Sequence, residues 1–169
     1  MVQLNSRPGA EAGDNRHPGR RILVIEARFY ENIADELYAG AVAEIEAQGA
    51  SHDRVVVPGA LEIPQAMIAA VAAGRFEDDA DSYHGVVALG CVIRGETAHY
   101  DVVVENANHW LMSVAIDDAI PVGNAILTVE NEQQALDRAR GGRAGKGGDA
   151  ARACFALIEA ADHFQGEDR

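Results

Sequence analysis

The stretch Gly85–Asp101, GVVALGCVIRGETAHYD, constrains the fold more than any other. From Val86 to Ile93 it is an almost unbroken apolar run with no polar alternation. A parallel strand covered on both faces reads this way. The run stops at Arg94-Gly95-Glu96-Thr97, and a helical pattern begins at once. A glycine turn between a buried strand and a helix N-terminus is an anion site, because free backbone N–H groups and the helix dipole converge there. His99 falls in the first turn of that helix, so an anion cradle and a titratable base lie within a few residues of each other.

The rest of the chain repeats the same alternation. Arg21–Ala27 is a short apolar strand, and Asn32 is expected to cap a helix running to about Gln48, with Ile33, Leu37, Ala41 and Ile45 on one stripe. Gly49 ends it. Ser51–Val57 is the second strand. The turn Val57-Pro58-Gly59-Ala60-Leu61-Glu62-Ile63-Pro64 leads into a second helix that fades at Gly74. After the opening stretch, a long helix is expected from about Thr97 to Asp118, then a fourth strand over Pro121–Val129. Asn131 caps a helix through Arg140, and the Gly-rich run Gly141–Gly148 breaks it. Asp149 is expected to start the last helix, through about Phe164. Four strand–helix alternations imply an α/β three-layer sandwich with a four-stranded, mostly parallel sheet in flavodoxin-like order. Residues 1–20 read as a disordered polar extension and 21–169 as one domain.

Charge narrows the function. The net charge of −13 argues against nucleic acid or an anionic membrane as a partner. The two cysteines, Cys91 and Cys154, form no CxxC pair and read as core residues of a reduced, cytoplasmic protein. No apolar run reaches membrane-spanning length. The single lysine, Lys146, restricts Schiff-base chemistry on the protein to that residue. The histidines other than His99 show no metal-ligand spacing, so no metal is expected.

In an open parallel sheet, ligands gather at the carboxyl edge of the strands. Three loops at that edge carry unusual residues: Phe29 after the first strand, the Pro58–Glu62 turn after the second, and Gly95-Glu96-Thr97 with His99 after the third. Each also has a plainer reading. Phe29 serves equally as a hydrophobic staple and Glu62 as a complement to a helix dipole, and a lone glycine turn is weak evidence for phosphate. His99 is favoured by its place, since a helix N-terminus disfavours imidazolium and keeps the ring able to accept a proton. Arg138, Arg140, Arg143 and Lys146 cluster near the Gly-rich break and offer cations, although Arg140 and Arg143 suit a helix C-terminus.

Together, ARFYENIADELYAGA, VPGALEIP, LGCVIRGETAHYDVVVENA and ILTVENEQQALDRA with the later GKGG closely resemble the lumazine synthase family. The resemblance runs from Ile22 to Phe164 in order and with matching spacing, and leaves out the N-terminal extension. It implies a transferase of riboflavin biosynthesis that joins 5-amino-6-(D-ribitylamino)uracil to 3,4-dihydroxy-2-butanone 4-phosphate and yields 6,7-dimethyl-8-ribityllumazine. The imine of that reaction forms on the substrate's own amine, which fits the single lysine, and the resemblance implies no cofactor. The alternative is a non-catalytic flavin- or lumazine-binding or shell-forming paralogue.

Residue by residue, the resemblance implies that Phe29 stacks on the pyrimidine ring and that Ala60, Leu61 and Glu62 hold the ribityl chain. Val92 and Ile93 bracket the ring. Gly95, Glu96 and Thr97 cradle the phosphate, and His99 is the general acid/base. Arg138 and Asn124 would arrive from an adjacent subunit of a homopentamer, free or built into larger assemblies, with the long helix lining its central channel. Leu61 and Asn124 stand where several relatives carry phenylalanine, and Cys91 where threonine is common.

Overall fold

Seven apolar-rich residues, Arg21–Ala27, form β1 at the middle of the sheet. The computed structural model of the chain describes residues 15–77 and 79–166. The elements follow as α1 (Glu31–Ala47), β2 (Ser51–Val57), α2 (Glu62–Ala72), β3 (Gly85–Ile93), α3 (His99–Asp117), β4 (Val122–Val129), α4 (Glu132–Ala139) and α5 (Lys146–Gln165), with a 3-10 turn at Gly142–Ala144 before α5. The strands run in the order β2-β1-β3-β4, and every pairing is parallel. The sheet expected to be mostly parallel is wholly so.

β3 holds the long apolar run Val86–Ile93, and its first seven residues are buried. Val87, Leu89 and Cys91 point to one face, where Ile33, Leu37, Ala41 and Ile45 of α1 meet Cys154, Phe155 and Ile158 of α5. Val86 and Ala88 point to the other, with Ile63 and Met67 of α2 and Ala107, Leu111 and Ala115 of α3. Period-2 alternation of the strand therefore feeds two separate cores, and both must be apolar. No helix among the described residues is long and apolar enough to cross a membrane.

Several local expectations shift. Asn32 does not cap α1: Tyr30 holds that position in extended backbone without a side-chain cap. Asn32 instead donates 2.8 Å to Oε1 of Glu132, tying α1 to α4. α3 begins at His99 rather than near Thr97, which leaves the residues before it as an open turn. Asn131 does cap α4, accepting from the Gln134 N–H at 3.0 Å. α5 starts at Lys146, earlier than the expected Asp149. Two glycines inside a helix look like a break, yet here they let α5 lie on backbone. A Cβ on Gly147 would strike the Leu37 carbonyl of α1, and one on Gly148 the Arg143 carbonyl.

Arg143 does more than complement a helix end. Its Nε donates 2.9 Å to Oε2 of the fully buried Glu44, and Nη1 of Arg152 donates 2.9 Å to the same oxygen. Gln48 donates 2.8 Å to Oε1. Burial alone would raise the Glu44 pKa, but these bonds and charges outweigh it and hold the carboxyl below its ordinary value. Residues 1–14 of the expected extension lie outside the described residues, as do residues 167–169. Residues 15–20 are described, and they rest on α5: His17 stacks on Phe155 with ring centroids 4.6 Å apart, and Arg20 reaches Asp162 at 2.6 Å.

Two measurements test this packing. Gly147→Ala should cost about 3 kcal/mol by overpacking, read as a lowered urea midpoint, and an unchanged midpoint would refute the backbone contact. For Glu44 the sign is that of a depressed carboxylate. Its contribution is complete above the unfolded pKa, near 4.3, and is lost as pH falls through the lower folded value. Stability measured from pH 6 to pH 3 (about 0.5-unit steps suffice) should therefore fall less steeply in Glu44→Gln than in the parent chain.

Candidate active site

β1 and β3 are neighbours in the sheet, yet the chain leaves them on opposite faces, into α1 and into α3. Their carboxyl ends part, and a cleft of about 410 Å³ opens there, a size that suits a small-molecule ligand. Phe29 and Tyr30 enter it from the β1 end, Pro58 to Glu62 from the β2–α2 turn, and Cys91, Val92 and Ile93 from the end of β3. Gly95, Thr97, His99, Tyr100 and Val103 complete it from the start of α3.

Phe29 is 72% exposed, and the one aromatic ring that its own meets among the described residues is that of Tyr30, edge-on at 4.9 Å. A staple would be buried against the helix it fastens, so that reading falls away. The ring is an open aromatic plane. Glu62 begins α2 and stays partly exposed at the opposite wall. Gly59 keeps its carboxylate clear, because a Cβ there would come within 3.0 Å of Oε2.

The turn before α3 leaves backbone donors open, an arrangement that suits an anion. The backbone N–H groups of Gly95, Glu96 and Thr97 donate to no other described residue, and that of His99 makes only a long 3.4 Å bond to Oγ1 of Thr97. A Cβ on Gly95 would meet nothing within 4 Å, so the fold itself does not demand a glycine there. Glu96 shares the turn, but its side chain does not line the cleft. Arg94 supplies no free charge: it pairs with Glu130 at 3.1 Å and Asp101 at 3.3 Å, and lies 4.1 Å over the Tyr100 ring.

Two of the expected residues are elsewhere. Asn124 lies in the first half of β4, opposite Ala88, so it sits far from the carboxyl edge. Its amide donates 2.8 Å to Asn108 of α3. Arg138 is exposed on α4 and donates 2.9 Å to the Gln134 carbonyl of its own helix. Neither lines the cleft of its own chain.

Tyr30, Tyr100, Val103 and Cys91 line the cleft without having been singled out as ligands. Val103 was findable, since it sits one turn beyond His99 on the same helix face. Burial pushes the Cys91 thiol up to about 11, so it stays protonated near neutral pH and is no nucleophile. Among the described residues no group of three or more His, Cys, Asp and Glu could hold a metal ion. The cleft therefore brings together an exposed aromatic ring, a carboxylate, a turn with open backbone N–H groups and an imidazole.

The profile of the family 6,7-dimethyl-8-ribityllumazine synthase matches residues 19–162. A 6,7-dimethyl-8-ribityllumazine synthase of Azorhizobium caulinodans is 51% identical over 90% of this chain and 92% of its own. One from Methylobacterium radiotolerans is 54% identical over 83% of this chain and 81% of its own. One from Agrobacterium fabrum is 49% identical over 82% of this chain and 92% of its own.

Inorganic phosphate titrated into the labelled protein should shift the amide resonances of Gly95, Glu96 and Thr97 ahead of all others. Silence at those amides would remove the anion turn from the site.

Proposed function

The chain belongs to the 6,7-dimethyl-8-ribityllumazine synthase family, and from that premise we propose how its cleft carries the reaction. The reaction condenses 5-amino-6-(D-ribitylamino)uracil with 3,4-dihydroxy-2-butanone 4-phosphate to 6,7-dimethyl-8-ribityllumazine, the penultimate step of riboflavin biosynthesis. It releases phosphate and water. One juxtaposition supports our assignment: exposed Phe29, Glu62, the unbonded N–H groups of the Gly95–Thr97 turn, and His99 all border a single cleft.

The pyrimidine ring stacks on Phe29, between it and the end of β3 at Val92 and Ile93. The ribityl chain runs along Ala60, Leu61 and Glu62, whose carboxylate accepts from its hydroxyls. The phosphate of the four-carbon substrate sits on the N–H groups of Gly95, Glu96 and Thr97, at the positive end of α3. This places the substrate carbonyl beside the ring's exocyclic amine. The amine attacks that carbonyl, and loss of water gives an imine on the substrate itself. Phosphate then leaves as the adjacent carbon gives up its proton, and ring closure releases further water. His99, on the same turn as the phosphate, takes and returns these protons. Such a base contributes on the order of a hundred- to ten-thousand-fold, and holding both substrates together contributes more.

Arg138 completes the phosphate site, and Asn124 borders the ring, from a neighbouring copy of the chain in a homopentamer or an assembly of pentamers. Their distance from the cleft of their own chain supports this. So does the apolar groove between α2 and α3, where Ile68 is 44%, Val102 51% and Trp110 54% exposed. Faces of that kind mark contact surfaces. Cytoplasmic residence is part of the same reading, supported by two buried cysteines that form no disulfide.

Purified protein given both substrates should develop lumazine absorbance and fluorescence, and no product would refute the assignment. His99→Ala should lose on the order of a hundredfold in kcat with substrate binding retained. Arg138→Ala should raise KM for the phosphate substrate alone. Mixed assemblies of these two variants should regain activity at about a quarter of their interfaces, because each shared site draws on two chains at random. Mixing without recovery would place both residues in one chain's site.

A further inference from the structure

Glu26 is a fully buried carboxylate that neither the core nor the cleft explains. It follows Ile22 and Val24 on the α1 face of β1, where its neighbours are apolar. An unpaired charge there would be costly, and a well-packed apolar residue would serve stability as well or better. What the carboxylate does is hold two arginines. Its Oε1 accepts 2.7 Å from Nη1 of Arg28 and 2.6 Å from Nη2 of Arg54, while Oε2 has no partner among the described residues.

Both arginines belong to segments that deliver the cleft. Arg28 immediately precedes Phe29, and Arg54 lies on β2, which ends at Val57 before the Pro58–Glu62 turn. Arg28 is held from three sides: Nη2 donates 2.8 Å to Asp35 of α1, its backbone N–H donates 3.2 Å to the Val57 carbonyl, and Glu26 takes Nη1. Arg54 lies 4.1 Å over the ring of Tyr38, which fastens the same knot to α1. Phe29 itself has almost nothing to fix it, being 72% exposed with one ring contact. Its direction is therefore set by the backbone of its turn, and that backbone is set by Arg28.

We propose that Glu26 is a positioning residue for the pyrimidine substrate, acting through Arg28 to hold the β1–α1 turn so that Phe29 faces the cleft. The proposal rests on the reading that Phe29 stacks on the substrate ring.

Steady-state kinetics of the intact assembly test it, using Glu26→Gln, Arg28→Gln, Phe29→Ala and the double variant Glu26→Gln/Phe29→Ala. Glu26→Gln should raise KM for the pyrimidine amine about fivefold and leave KM for the phosphate substrate within about twofold. Arg28→Gln, at a partly exposed site, should do the same. The double variant should be no worse than Phe29→Ala alone, because two residues acting through one ring do not add. Additive losses, or a lowered Tm with both KM values unchanged, would overturn the positioning role. Should Glu26→Gln fail to fold, an unchanged pyrimidine KM in Arg28→Gln overturns it equally. An unchanged KM in Phe29→Ala would instead overturn the stacking reading, and the proposal with it.

Discussion

The reversal of winding between β1 and β3 is the constraint from which the rest of this protein follows. β1 sends the chain through α1 to β2 on one side, and β3 sends it through α3 to β4 on the other. Adjacent strands whose exits diverge must leave a crevice at their carboxyl ends. Everything in the cleft is a consequence: two strand ends form its floor, and the N-termini of α2 and α3 form its walls. Burial of β3 on both faces makes the arrangement stable, because neither core can rearrange without exposing the other side of the same strand.

Much of this was legible in the chain. An uninterrupted apolar run marked β3, since a strand buried on both faces has no room for polar alternation, whereas β2, SHDRVVV, is a largely exposed edge strand with no such run. The loops that follow them stood out by residue type, and Phe29, Glu62, Thr97 and His99 do converge on one cleft. The misses share a cause. Glu26 and Glu44 look like surface charges in sequence, because their arginines lie on other elements and only the fold brings them together. Gly147 and Gly148 look like a helix break, because nothing local reveals that α1 will lie against them. Asn124 and Arg138 are a different case: the resemblance assigned both to a neighbouring subunit's site, and in one chain they stand outside the cleft.

Electrostatics gives the proposed anion site its character. The chain is strongly acidic, and the basic side chains that might have offset this are mostly engaged: Arg20, Arg21, Arg28, Arg54, Arg94, Arg143 and Arg152 all pair with carboxylates. A phosphate at the proposed site would therefore meet backbone N–H groups and a helix dipole in its own chain. Such donors are fixed in direction and cannot be titrated away, which suits a group that must be held still while bonds to it break. Arg138 differs from those arginines, bonding only a carbonyl of its own helix among the described residues.

The glycine contacts of α5 have a consequence for how this protein would answer a survey of every substitution. Gly123 approaches Ala150, and Gly147 approaches Leu37, so closely that no side chain fits. Such positions would tolerate change no better than His99, and a map of intolerance would colour them alike. They line no part of the cleft. In this fold, sensitivity to replacement measures how near two backbones pass as often as it measures chemistry, and only kinetics resolved by substrate can tell one from the other.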